Sequence, residues 1–171
     1  MLDYVSTDYL AEITMSILKK QQLKDEKLGY VADFVDQLVD VAPLLKKSGT
    51  KVIVNAGGMN PLGWARDILK RLKGSGNELR IAVIEGDDIY PRLNELYPDK
   101  VNFQNLEDGR EFHEIQQDVQ SANAYLGVGP IIKALEEEAQ VVIAGRVTDT
   151  SISIAPMIYE FGWELNDWNK L

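Results

Sequence analysis

A chain of 171 residues with 45% apolar and 26% charged residues has the make-up of one ordinary globular domain. Its net charge of −9 is spread along the chain, which argues against nucleic acid or an anionic membrane surface as partner, because both need a basic face. There is no cysteine, so disulfides and thiolate metal sites are excluded, and no run is apolar enough to cross a membrane or serve as a signal. The expected setting is the cytoplasm.

Leu2 to Thr7 reads as a short strand. Asp8 then suits the cap of a helix running to about Leu23, with Leu10, Ile13, Ile17 and Leu18 near one face and Glu12 one turn after the cap. After a charged loop, Gly29 leads into a second helix with Tyr30, Phe34, Leu38, Val41 and Leu45 at helical spacing, stopped by Ser48-Gly49. Lys51 to Gly63 is the stretch around which the chain is organised. Val52, Ile53 and Val54 form a β-branched run of the kind buried on both faces of a sheet. Asn55, Gly57, Gly58 and Asn60 then turn the chain, and Asn60-Pro61 reads as a cap followed by proline at the first helical position. A strand, a glycine loop and a helix start can together present free backbone N–H groups to an anionic ligand. The same turn also occurs where a strand simply meets a helix.

The helix that follows, Leu62 to Leu72, places Trp64, Ile68 and Leu72 inward. Arg80 to Ile84 is the next strand, ending in Glu85-Gly86-Asp87-Asp88, with a helix from about Ile89 to Tyr97 and a weaker strand at Val101-Asn102-Phe103. Glu107 to Gln120, which holds the lone His113, reads as loop with one solvated helix. Ser121 to Gly129, SANAYLGVG, is small and turn-forming, and Pro130 opens a helix to about Ala139. Val141, Val142 and Ile143 form the last strand. Arg146, Thr148, Asp149 and Thr150 follow it, then a helix from about Ile152 to Phe161 that contains Pro156 and stops at Gly162. Strands alternating with helices over short connections predict a single α/β domain over residues 1–171, an open parallel sheet with helices on both faces. A fragment of a β/α barrel is the alternative.

Both architectures bind ligands beyond the carboxyl ends of the strands. Each of four strands carries polar residues there: Asp8 with Glu12, Asn55 through Asn60, Glu85 with Asp87 and Asp88, and Arg146 with Asp149. A site built from them would use Asp87 or Asp149 as a general base and Arg146 as a two-pronged anion holder. Asp8, Glu12, Asn55, Gly57, Gly58, Asn60 and Asn123 would bind the ligand. The structural alternative makes Asp8, Asp87 and Thr150 helix caps and gives Arg146 the task of neutralising nearby acids. Convergence of Asp87, Arg146 and Asp149 on one pocket would favour the enzyme. Mg²⁺ could be held by one or two of these carboxylates, but no diagnostic metal spacing is present. His113 has no partner at meaningful spacing, so a nucleophilic triad is not supported. Tyr125 could donate from its phenol or stack on a ligand, but reads as packed beside Leu126.

The blocks DYLAEITMSIL, VNAGGMNP, IEGDD, SANAYLG, AGRVTDTS and EFGWELNDW occur in an order and at spacings that resemble the acyclic terpene utilisation family, AtuA. The resemblance spans virtually the whole chain. It implies breakdown of acyclic terpenoids or related branched acids, compounds generally handled as CoA thioesters, by a non-redox enzyme acting on an acyl-CoA or carboxylate. A non-catalytic ligand-binding or assembly module is the alternative. The family core is longer, with a glycine-rich segment ahead of the first strand, so the chain is expected to be an incomplete piece of it. Its uncovered ends would then drive homo-oligomer formation through Leu2, Tyr4, Trp163 or Trp168.

Overall fold

A computed structural model describes residues 2–96 and 104–171. The strand expected at Val101 to Phe103 lies outside the described residues. Four strands form one parallel sheet: β1 (Tyr4–Thr7), β2 (Lys51–Val54), β3 (Ile81–Ile84) and β4 (Val141–Ala144), in the spatial order β1-β2-β4-β3. The predicted open parallel sheet is present. Its central strands, β2 and β4, are the two most buried, and Ile53, Val142 and Ile143 are fully buried. β3 at the rim buries only Ile84 fully, because half of an edge strand's surroundings are missing.

The period-2 alternation of side chains divides the core into two layers. Val52, Val54, Val141 and Ile143 meet α2 (Ala32–Ser48) and α3 (Pro61–Leu72) on one face. Ile53, Val142 and Ala144 meet α6 (Gly129–Glu136) and α7 (Ser151–Phe161) on the other. α3 has the face its sequence predicts, with Trp64, Ile68 and Leu72 buried. Asn60 caps it as expected, its Oδ1 accepting the Gly63 amide at 2.9 Å. Among the described residues between β3 and α6 are a 3-10 turn at Tyr90–Arg92 and two short helices, α4 (Leu93–Leu96) and α5 (Phe112–Ile115).

The first helix, α1 (Glu12–Lys24), differs from expectation. It starts four residues after Asp8, which instead bends the chain by accepting the Leu10 amide at 3.1 Å. Its inward residues are Met15 and Leu18, while Ile13 and Ile17 are exposed. α1 packs with Leu10 and Met59 in a small cluster of its own, and Leu18 lies against the glycine loop after β2. Only a narrow strip of the helix is therefore covered. Val41 of α2 is likewise exposed, and Val35 and Ala42 take the buried positions beside Leu38.

α7 carries Pro156 in its interior. Proline lacks the N–H that would bond the carbonyl four residues back, that of Ile152. Ser6 of β1 fills the vacancy, its Oγ donating to the Ile152 carbonyl at 2.7 Å. Pro156 thus marks the place where the helix is tied to the sheet.

Candidate functional site at the carboxyl ends of the strands

The polar residues at the four strand ends form two linked groups. In the first, the buried Asn55 accepts the Tyr9 amide on Oδ1 at 2.7 Å and donates Nδ2 to Asp8 Oδ1 at 2.6 Å. Asn55 and Asp8 therefore stitch the end of β1 to the end of β2. The glycine loop is buried and satisfied internally. The amides of Gly57, Gly58, Met59 and Asn60 donate to the carbonyls of Ala144, Asn55, Gly29 and Gly57, at 3.0, 3.2, 2.8 and 2.9 Å. The expected row of free N–H groups is corrected by this: these donors are already taken, two of them by carbonyls from distant parts of the chain. Gly57 is required for another reason, because a Cβ there would lie 2.6 Å from the Ala144 carbonyl oxygen.

The second group joins β3, the SANAYLG segment and the loop after β4. Asp87 is buried, and its Oδ2 accepts the Arg146 amide at 2.8 Å and Asn123 Nδ2 at 2.9 Å. It is not a helix cap, and the neighbouring Asp88 accepts the Tyr90 amide two residues on at 3.0 Å. Gly145 lets Asp87 approach, since a Cβ there would sit 2.6 Å from Asp87 Oδ1. Burial pushes the Asp87 carboxyl above the usual aspartate range, against the pull of the Arg146 amide and Asn123. The Asn123 side of the group is fixed by the Ala124 amide donating to the Asp87 carbonyl at 2.7 Å and the Ile89 amide donating to Ala122.

Arg146 reaches the other way. Its guanidinium is 3% exposed, donates to the Leu10 carbonyl and, at 2.7 Å, to Asp149 Oδ1, and lies 3.9 Å from the centre of the Tyr125 ring. Glu12 stands 3.9 Å from the same guanidinium and accepts the Tyr125 hydroxyl. That hydrogen bond holds Glu12 below the usual glutamate range and pushes the Tyr125 phenol up. An arginine so enclosed, with one carboxylate bonded and another close by, is a clamp between α1 and the loop after β4. Of the donors that the sequence reading offered either to an anion or to nearby acids, both terminal nitrogens are engaged within the protein, and Nε is buried without a partner among the described residues. Thr150 precedes α7 without a side-chain cap bond, whereas Thr148 and Ser151 bond through their hydroxyls.

Between the groups lies a small cavity of about 130 Å³. Gly58, Met59, Glu85, Asp87, Asp88 and Asn123 line it, together with Pro61 and Gly86. Asp87, Gly58 and Asn123 therefore meet there. Arg146 and Asp149 do not line it, and reach Asp87 only through the Arg146 backbone. Glu85 and Asp88, read from sequence as strand-end acids, share this lining, whereas Tyr125, weighed there as a phenol donor, lies against Arg146 and Glu12 instead. Among the described residues no three His, Cys, Asp or Glu side chains converge to hold a metal ion.

A family-level comparison aligns residues 1–171 with a model described as "Acyclic terpene utilisation family protein AtuA". The chain belongs to the AtuA family. The resemblance read from its blocks is therefore correct over the whole length, and the family name carries a role in acyclic terpene utilisation. No curated protein matches this AtuA chain, and no solved structure does. The residue roles within the AtuA site consequently rest on the geometry just described.

Proposed function

We propose that this AtuA-family chain forms the acid–base half of a non-redox enzyme that acts on a branched, acyclic terpenoid-derived acyl compound. The observation that carries the reading is Asp87. One of its oxygens is anchored by two donors, and the residue lines a cavity at the carboxyl ends of a parallel sheet. Burial favours its neutral form, so its carboxyl is a proton donor at higher pH than an exposed aspartate and a stronger base once ionised. Asn123 and the Arg146 amide orient it. Asp149, with Glu12 and Tyr125, acts through Arg146 by holding the loop that presents that amide. A free or esterified acid is the better substrate form. The phosphates of a CoA thioester would need open donors, whereas the glycine-loop amides are bonded within the chain and the Arg146 guanidinium is enclosed. A cysteine-free chain suits the reducing cytoplasm.

The test is turnover of a panel of acyclic terpenoid acids, esters and alcohols by the wild type and by Asp87→Asn, followed by mass spectrometry. Loss of a general acid–base group should lower the rate by about a hundredfold or more, with circular dichroism and ligand binding retained. Full turnover by Asp87→Asn overturns the assignment. A second reading, a ligand-binding or assembly module, is favoured by the internal satisfaction of the glycine loop and Arg146. It predicts saturable binding of one panel member with no product from either protein.

A further inference from the structure

The wall of the Asp87 cavity carries charge of one sign. Glu85, Asp87 and Asp88 line it, and among the described residues no lysine or arginine does. Negative charge gathered in this way repels the carboxylate of an incoming acid unless a cation stands at the entrance. Lys19 of α1 is placed there by its neighbours. Leu18, the residue before it, lies against Gly58 of the cavity wall. Gln22 donates Nε2 to the Met59 carbonyl at 3.0 Å, and its Oε1 accepts the Lys19 ammonium at 3.3 Å. On the other side, the ammonium lies 5.8 Å from the centre of the Tyr90 ring, two residues beyond Asp88. Lys19 thus reaches from the glycine loop to the turn after β3, the two walls between which the cavity opens.

Among the described residues that ammonium meets an amide oxygen and a ring face, and it forms no ion pair. A lysine serving only to neutralise Glu85 or Asp88 would be drawn onto one of those exposed carboxylates. Here the Met59 carbonyl fixes the Gln22 amide, and the amide and the ring together fix the ammonium, which keeps N–H donors to spare. We propose that Lys19 holds the carboxylate of a free acid at the mouth of this cavity, with the uncharged branched chain directed to Asp87. This role rests on the reading of Asp87 as the acid–base group, and it narrows the substrate. Esters and thioesters lack the charge that Lys19 recognises, and the carboxylate stays outside the acidic wall. The group that reaches Asp87 therefore belongs to the chain of the acid rather than to its carboxyl.

The test uses the full chain at neutral pH with dimethylacrylic acid, its methyl ester and prenol, probes that share one branched skeleton. Binding is read by ligand-observed NMR. The wild type should bind the acid about three- to tenfold more tightly than the ester or the alcohol, a preference that shrinks as salt is added. Lys19→Met should abolish the preference by weakening the acid alone, the unchanged ester and alcohol showing that the cavity is still folded. Lys19→Arg keeps the charge and should retain most of the preference. Asp87→Asn should keep or enlarge it, because a negative charge leaves the wall. Binding is read rather than turnover, so this result and the acid–base role of Asp87 are decided separately. A preference that survives in Lys19→Met overturns the assignment. So does an ester bound as tightly as the acid, or no binding of the acid, by the folded wild type.

Discussion

Asp87 and Gly145 are the pair on which the candidate site turns, and each makes a separate claim. Gly145 has an ordinary backbone angle, so Gly145→Ala adds a methyl without backbone strain and presses it on the Asp87 carboxylate. The expected cost is about 1–3 kcal/mol, read from the urea midpoint, together with loss of whatever Asp87 does. The carboxyl itself sets a pH dependence. Its folded pKa is raised, so the unfolded chain releases the proton first and the contribution of Asp87 is full only below the ordinary aspartate range. Compared with Asp87→Asn, the wild type should lose stability as pH rises from about 4 through the folded value. A stability difference that grows in favour of the wild type over that interval would contradict the burial argument. Sequence reading found Asp87 because an acid follows a buried strand. It weighed Arg146 both as an anion holder and as a neutraliser of nearby acids without choosing, since an arginine at a strand end looks the same whether it faces solvent or is enclosed by Leu10, Tyr125 and Asp149. Of these, Leu10 lies more than a hundred positions away along the chain.

At the scale of elements, that clamp and the Ser6 tie make contrasting claims. Arg146→Ala should cost about 3 kcal/mol, because a buried charge partner and a stacked ring are lost together. Asp149→Ala should cost under about 1 kcal/mol, its carboxylate being mostly exposed. Equal costs in chemical denaturation would mean that the clamp works through the ion pair alone. Ser6→Ala leaves the Ile152 carbonyl unmet and should cost about 1–3 kcal/mol. In a Pro156→Ala background the new amide supplies that bond within α7, so the same substitution should cost markedly less; a double-mutant cycle reads the difference. The elements themselves were largely legible. α3 announced itself through Asn60-Pro61 and one dense apolar stripe. α1 did not, because Asp8 resembles a cap yet bonds Leu10 and Asn55 instead, and the shifted start leaves Ile13 and Ile17 outside. The glycine loop misled for a related reason: its sequence shows that donors exist, but not that Gly29 and Ala144 will use them.

For the whole molecule, the strand order ranks the sheet by protection. Among the described residues, β2 and β4 have neighbours on both sides, whereas β1 and β3 each have one. Native-state hydrogen exchange should therefore be slowest at Ile53, Val142 and Ile143, with Ile81 to Ile84 and Tyr4 to Thr7 opening more readily. Uniform protection across the four strands would contradict the layering.

The position of β4 between β2 and β3 also matters while the chain is being made. β2 and β3 emerge from the ribosome early and consecutively, yet neither is the other's partner. Their common neighbour is completed only at Ala144, about sixty residues after Ile84. Until then α2 and α3 have half of their apolar face uncovered, and the nascent chain holds a gap the width of one strand. Synthesis of this protein thus includes an interval, ended by a single four-residue strand, in which a chaperone has the most exposed surface to protect.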